Sequence, residues 1–168
     1  MKTDPSSWRR VAVNMFTVLA RWLLGAVMIY LGLNKALHPV EFLKLMRQYD
    51  MTQNALLLNS TAAALPWFEV FCGLLLLLGV AVRGTALTLV FALVSFTVLV
   101  FHRAMLLHAV QDIPFCAVKF DCGCGAGEEF ICRKLSENCL LILLSSWLLV
   151  GRGHQLSLRF SLFKPPPR

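Results

Sequence analysis

Three apolar runs long enough to cross a bilayer decide what this chain can become. They are residues 11–33 (VAVNMFTVLARWLLGAVMIYLGL), 62–82 (AAALPWFEVFCGLLLLLGVAV) and 85–101 (TALTLVFALVSFTVLVF), the last continuing towards His108. A bilayer core takes about 20 mostly apolar residues of helix. Hydrophobic residues make up 58% of the chain, against roughly 45–50% in soluble domains, so a soluble fold would have no interior large enough for them. A fourth run, 140–150 (LLILLSSWLLV), is short. It spans only if its helix begins near Glu129 or Phe130, with Arg133 and Lys134 snorkelling at the outer end.

The expectation is an all-α integral membrane four-helix bundle. Its spans cover 11–33, 62–82, 85–108 and 130–150, between a basic lead at 1–10 and a tail at 151–168. Arg21 in the middle of the first run, and the lack of a small-x-small site after it, make that run a retained span rather than a cleaved signal. Within the 34–60 loop, Pro39 suits a first helical turn. Phe42, Met46 and Tyr49 fall on one face, which predicts a short interfacial amphipathic helix, either packed on the bundle or roofing a site. Arg83-Gly84 predicts a tight turn between the second and third spans.

Basic residues near the ends of short loops mark the cytoplasmic side. The clusters at both termini lie close to the spans, whereas Lys44, Arg47 and Lys119 lie deep in longer loops. Both termini are therefore expected in the cytoplasm, with the 34–60 loop and a cysteine-bearing loop on the opposite face. That face would be an oxidising compartment, where disulfides persist. The expected surroundings are the lipid bilayer, with no nucleic-acid partner.

Five of the six cysteines (Cys116, Cys122, Cys124, Cys132, Cys139) cluster on that outer side, around KFDCGCGAGEEF at 119–130. Cys72, deep in a span, reads as a small hydrophobe. A disulfide between Cys122 and Cys124 would close a very small ring, which Gly123 permits, and strained or exposed disulfides are the labile, catalytic kind. A helix starting near Glu128 would place both thiols by its positive N-terminus, which lowers a thiol pKa. Three readings stay open. The pair is redox-active, with Cys116, Cys132 or Cys139 as resolving partners; or the cysteines form structural disulfides, among 15 full pairings; or they bind metal. The spacing fits no common zinc pattern, although His102 and His108 lie near the same face, and no metal site is assigned.

Two charges fall inside the spans, Arg21 near the middle of the first and Glu69 about two turns into the second. Each alone costs several kcal/mol in lipid, so such groups usually pair and face the bundle interior. An Arg21–Glu69 ion pair is expected, either as a clasp that fixes helix register or as part of a proton or quinone-headgroup site.

Three stretches resemble the MauE branch of the DoxX-like superfamily of small four-helix membrane proteins. They are RWLLGAVMIYLGLNK (Arg21, Gly25, Gly32, Lys35), LPWFEVFCGLLLLLGV (Pro66, Glu69, Gly73, Gly79), and FDCGCGAG followed by ENCLLIL (Asn138). The chain has Gly125 and Glu137-Asn138 where the family pattern usually has phenylalanine and Arg-Asn. The resemblance covers about residues 17–150. It implies a redox-associated inner-membrane protein of bacteria that helps mature periplasmic proteins by disulfide formation or thiol delivery. Cys122 and Cys124 would exchange with a periplasmic thiol protein or a thioredoxin-like carrier, with a quinone as a candidate electron acceptor. The alternative is a non-catalytic subunit or assembly factor of a membrane complex, whose disulfides brace a docking loop.

Overall fold

The computed structural model describes residues 5–49, 54–111, 113–121 and 128–151. Five helices account for most of them. These are α1 (Pro5–Leu37), α2 (Pro39–Gln48), α3 (Ala55–Leu78), α4 (Val82–Gln111) and α5 (Ile131–Val150). A 3-10 turn (Phe115–Ala117) and a two-stranded hairpin, β1 (Lys119–Asp121) and β2 (Glu128–Phe130), join α4 to α5.

Three helices are long and apolar enough to cross a membrane: Val11–Leu37 of α1, all of α3, and Val82–Val110 of α4. Their outward faces carry Trp22, Tyr30, Trp67, Phe71, Phe91 and Val98 exposed, as suits the lipid-facing sides of a membrane bundle. The 20-residue α5, about 30 Å long, packs against α4 and α1 as the fourth long member. Arg133 is exposed near its start, as snorkelling requires. Lys134 is not: it is buried, and held by Glu129 at 3.7 Å and Glu137 at 3.5 Å.

The tightest seam lies between α1 and α3. A Cβ on Gly25 would come 2.9 Å from the Gly73 carbonyl oxygen, and one on Gly32 would come 2.6 Å from that of Pro66. Small residues let membrane helices pack backbone to backbone, and van der Waals contact then replaces the missing hydrophobic drive. Gly25 and Gly32 are seven residues apart, as are Pro66 and Gly73, so both contacts fall on one stripe of each helix. Helix α3 runs on through Pro66. Elsewhere α5 is tied to α1 where Trp147 Nε1 donates to Thr17 Oγ1 (3.3 Å), and to the start of α4 where Arg83 donates to the Gly151 carbonyl (3.4 Å).

The turn between α3 and α4 lies earlier than expected. Gly79 caps α3 in the left-handed conformation (φ 72°) and Ala81 also has positive φ (47°), while Arg83 and Gly84 already belong to the first turn of α4. A glycine end-cap satisfies the last carbonyls of a helix without a steric penalty, so Gly79 rather than Gly84 breaks the chain. The expected 34–60 loop is mostly helical too. Helix α2 buries Phe42 and Met46 against Leu58 and Ala62 of α3. Helix α3 itself starts at Ala55, capped by Asn54, whose side chain accepts from the Leu56 and Leu57 amides.

Candidate functional site

Cys116 and Cys132 meet at the end of the bundle that carries α2 and the hairpin. Antiparallel pairing sets Lys119 opposite Phe130, Phe120 opposite Glu129 and Asp121 opposite Glu128. The hairpin is rooted in the bundle at its base, where Val118 and Ile131 are fully buried and the Ile131 amide donates to the Val118 carbonyl (3.1 Å). On its exposed side, Lys119 Nζ lies 4.3 Å from the Phe130 ring centroid. Cys122 and Cys124 fall in the six residues that connect the Asp121–Glu128 pair, outside the described residues.

Cys116 and Cys132 form a disulfide across the base of this hairpin, with Cα atoms 5.1 Å apart and a sequence separation of 16. Cys116 lies in the 3-10 turn before β1, and Cys132 in the first turn of α5 after β2. The helix near the cysteines therefore starts at Ile131 rather than Glu128, because residues 128–130 are taken by the strand. The cysteine in the first turn of that helix is Cys132, whose sulfur is held in the disulfide.

Cys139 stands apart. It is free and exposed, seven residues beyond Cys132 on the same face of α5. That spacing puts their Cα atoms about 10.5 Å apart along the axis, beyond the roughly 7 Å over which cysteines can bridge without backbone movement. Cys72 is free and buried among the residues that line the α1–α3–α4 core. His108 is engaged in local structure: its Nδ1 donates to the Ile113 carbonyl (2.6 Å), and its ring meets Phe115 edge-on.

Glu69 pairs with Lys35, not Arg21. Lys35 Nζ lies 2.5 Å from Glu69 Oε1, and both side chains are largely buried. The close contacts explain the choice. With Gly25 level with Gly73 and Gly32 level with Pro66, Glu69 sits about level with Ile29. Helical side chains lean towards their own N-terminus. Lys35, near the end of α1, therefore leans down the bundle, while Glu69 on the antiparallel α3 leans up, and the two meet. Arg21 is buried about 12 Å along α1 from the level of Glu69, and it leans the other way. The Lys35 ammonium also lies 5.6 Å from the Phe42 ring centroid and 5.9 Å from that of Phe96. Lys35 appeared in the sequence only as part of a resemblance. Its place at the end of an apolar run reads as a routine interfacial lysine, and only the helix register reveals its role.

Buried polar atoms without a hydrogen-bond partner among the described residues include two near the Lys35–Glu69 pair. Asn138 is buried on the face of α5 that looks into the bundle, and its Nδ2 has no hydrogen-bond partner among the described residues. The second is Oε2 of Glu69, also buried and unpartnered among them.

The family model described as methylamine utilisation protein MauE matches residues 13–151. No curated protein and no solved structure gives a significant match.

Proposed function

The chain belongs to the MauE family of membrane proteins, and from that premise we propose that it performs thiol–disulfide exchange on client proteins at the hairpin end of the bundle. One observation carries the reading. A hairpin rooted in the bundle holds the Cys122-Gly-Cys124 segment between its strands, and a second cysteine pair, Cys116–Cys132, closes its base. In this reading a client thiolate attacks one sulfur of a Cys122–Cys124 disulfide and the other sulfur leaves as thiolate. A second client thiol then resolves the mixed disulfide. The client ends oxidised, and Cys122 and Cys124 end as two thiols. Their two electrons and two protons pass to a lipid-soluble quinone, either directly or through the Cys116–Cys132 pair. The hairpin faces the periplasm of a bacterial inner membrane, with both chain termini in the cytoplasm.

The test is the thiol state of each cysteine, read by alkylation and mass spectrometry across glutathione redox buffers. Exchange chemistry requires Cys122 and Cys124 to equilibrate reversibly at a potential well above about −300 mV, below which structural disulfides typically lie. If that pair stays oxidised in every buffer, the reading is lost. A second reading has its own support: Cys116–Cys132 brackets the hairpin, as a brace for a docking loop would. In a non-catalytic assembly factor, Cys122 and Cys124 could both become serine without loss of client maturation.

A further inference from the structure

Electrons that leave a thiol pair at a membrane surface need an acceptor, and the orphan polar atoms beneath the hairpin define a place for one. Asn138 is only 3% exposed, and its Nδ2 has no partner among the described residues; Oε2 of Glu69 is likewise buried and unpartnered among them. A buried polar group left unmade costs about 1–3 kcal/mol, so two at one depth call for an explanation.

Phe96 lies beside the Lys35–Glu69 pair and shares a hydrophobic cluster with Leu135, one turn from Asn138. Its ring centroid lies 5.9 Å from Lys35 Nζ, which holds Glu69 through Oε1 at 2.5 Å. The same ring packs in a cluster with Leu31 of α1 and Leu135 of α5. Leu31 is one turn before Lys35, and Leu135 is one turn before Asn138. The register of α4 and α5 agrees. Arg83 meets Gly151, and Phe96 and Asn138 are each thirteen residues further into the bundle from that contact, so they stand at about the same depth. Since α5 packs against α4 and α1, its buried Asn138 faces the interior that Phe96 and Lys35 border.

From this juxtaposition we infer that Asn138, Glu69, Lys35 and Phe96 form a binding site for the head group of a lipid-soluble quinone. Resting on the exchange reading above, the inference deepens it. The donors and acceptors match the two redox forms. Asn138 Nδ2 supplies a donor to a carbonyl oxygen of the oxidised ring, and Glu69 Oε2 supplies an acceptor for a hydroxyl of the reduced one. Phe96 offers an apolar face to the ring. The overall step balances: two cysteine thiols give up two electrons and two protons and become a disulfide, while the two carbonyls of the quinone become hydroxyls.

The experiment uses the full chain in detergent with an azido-substituted short-chain ubiquinone analogue as photolabel. Labelling is mapped by peptide mass spectrometry and competed with the unmodified analogue. Saturable labelling of α4 or α5 near Phe96 and Asn138 is expected in the wild type, weakened at least tenfold in Asn138→Leu and unchanged in Ser145→Ala, two turns further along α5. Asn138→Leu removes an orphan amide from the interior and should fold as well as the wild type, so its loss of labelling reports the site. Labelling that never saturates, as in a seam filled only by water, overturns the site, and so does undiminished labelling of Asn138→Leu. Glutathione equilibration of Cys122 and Cys124 is measured on the same samples. Its failure in the wild type would sink the exchange reading whatever the labelling shows.

Discussion

Gly73 faces Gly25 so closely that a Cβ on Gly73 would lie 2.6 Å from the Gly25 carbonyl oxygen and 2.7 Å from a side-chain carbon of Ile29. Neither obstacle can yield cheaply, because one is backbone and the other is held between two helices. Gly73→Val is therefore expected to destabilise the bundle by about 1–3 kcal/mol or more, the usual cost of overpacking. Gly84→Ala makes the contrast. It lies in the first turn of α4, and an added Cβ there would meet nothing within 4 Å, so it should be neutral or stabilising by up to about 1 kcal/mol. Thermal unfolding in detergent checks both. Equal melting temperatures for the two variants would contradict the seam.

Breaking the Lys35–Glu69 pair from one side should be worse than removing both members. Lys35→Met or Glu69→Leu leaves a buried partner uncompensated, at about 3–5 kcal/mol, whereas Lys35→Met with Glu69→Leu replaces the pair by apolar groups and should recover much of the loss. A double-mutant cycle measures the coupling.

The same cycle run on Arg21 and Glu69 should return additivity within about 0.5 kcal/mol, since the two lean apart along antiparallel helices. A coupling of 1 kcal/mol or more would restore the pair that the sequence suggests.

Removing the Cys116–Cys132 bond should loosen the hairpin. A disulfide closing a loop of this length contributes about 3 kcal/mol, so Cys132→Ser should unfold at correspondingly lower denaturant. It should also speed amide exchange at Phe120 and Glu129, inside the ladder, before any change in α1 or α3. Uniform acceleration throughout the chain would show that the bond braces the bundle rather than the hairpin.

Cysteine labelling separates the remaining thiols without reductant. Cys139, exposed on α5, should react with membrane-permeant N-ethylmaleimide, and buried Cys72 should react only after denaturation. Protection of Cys139 in the native protein would mean that another surface covers this face of α5.

Much of this architecture was legible in the sequence because a bilayer leaves a chain few options. The apolar runs give the long helices, and Pro39 with Phe42 and Met46 gives α2. The turn at Gly79 was missed because Arg83-Gly84 carries an equally good turn signature, and only the left-handed cap decides between them. The wrong partner for Glu69 has a different origin. Sequence places charges along a helix but leaves the vertical offset between helices open, and that offset is set by Gly25, Gly32, Pro66 and Gly73 meeting across the seam. The lean of side chains towards their N-termini then selects Lys35. Asn138 was visible only as part of a motif, since burial of one amide in a helix that also presents Arg133 and Glu137 depends on how α5 is rotated against α4. Fifteen full pairings of the six cysteines are open in the sequence and three contain Cys116–Cys132; it took a strand ladder, itself too short to announce itself in sequence, to bring those two together.

The hairpin also limits how far its thiols can travel. Six residues that begin at Asp121 and return to Glu128, about 5 Å away, can extend no more than about 12 Å beyond the ladder however they are arranged. Chain length alone therefore keeps Cys122 and Cys124 within that reach of the hairpin. On the proposed exchange reading, a client would have to come to the end of the bundle, and turnover would follow the rate of its arrival.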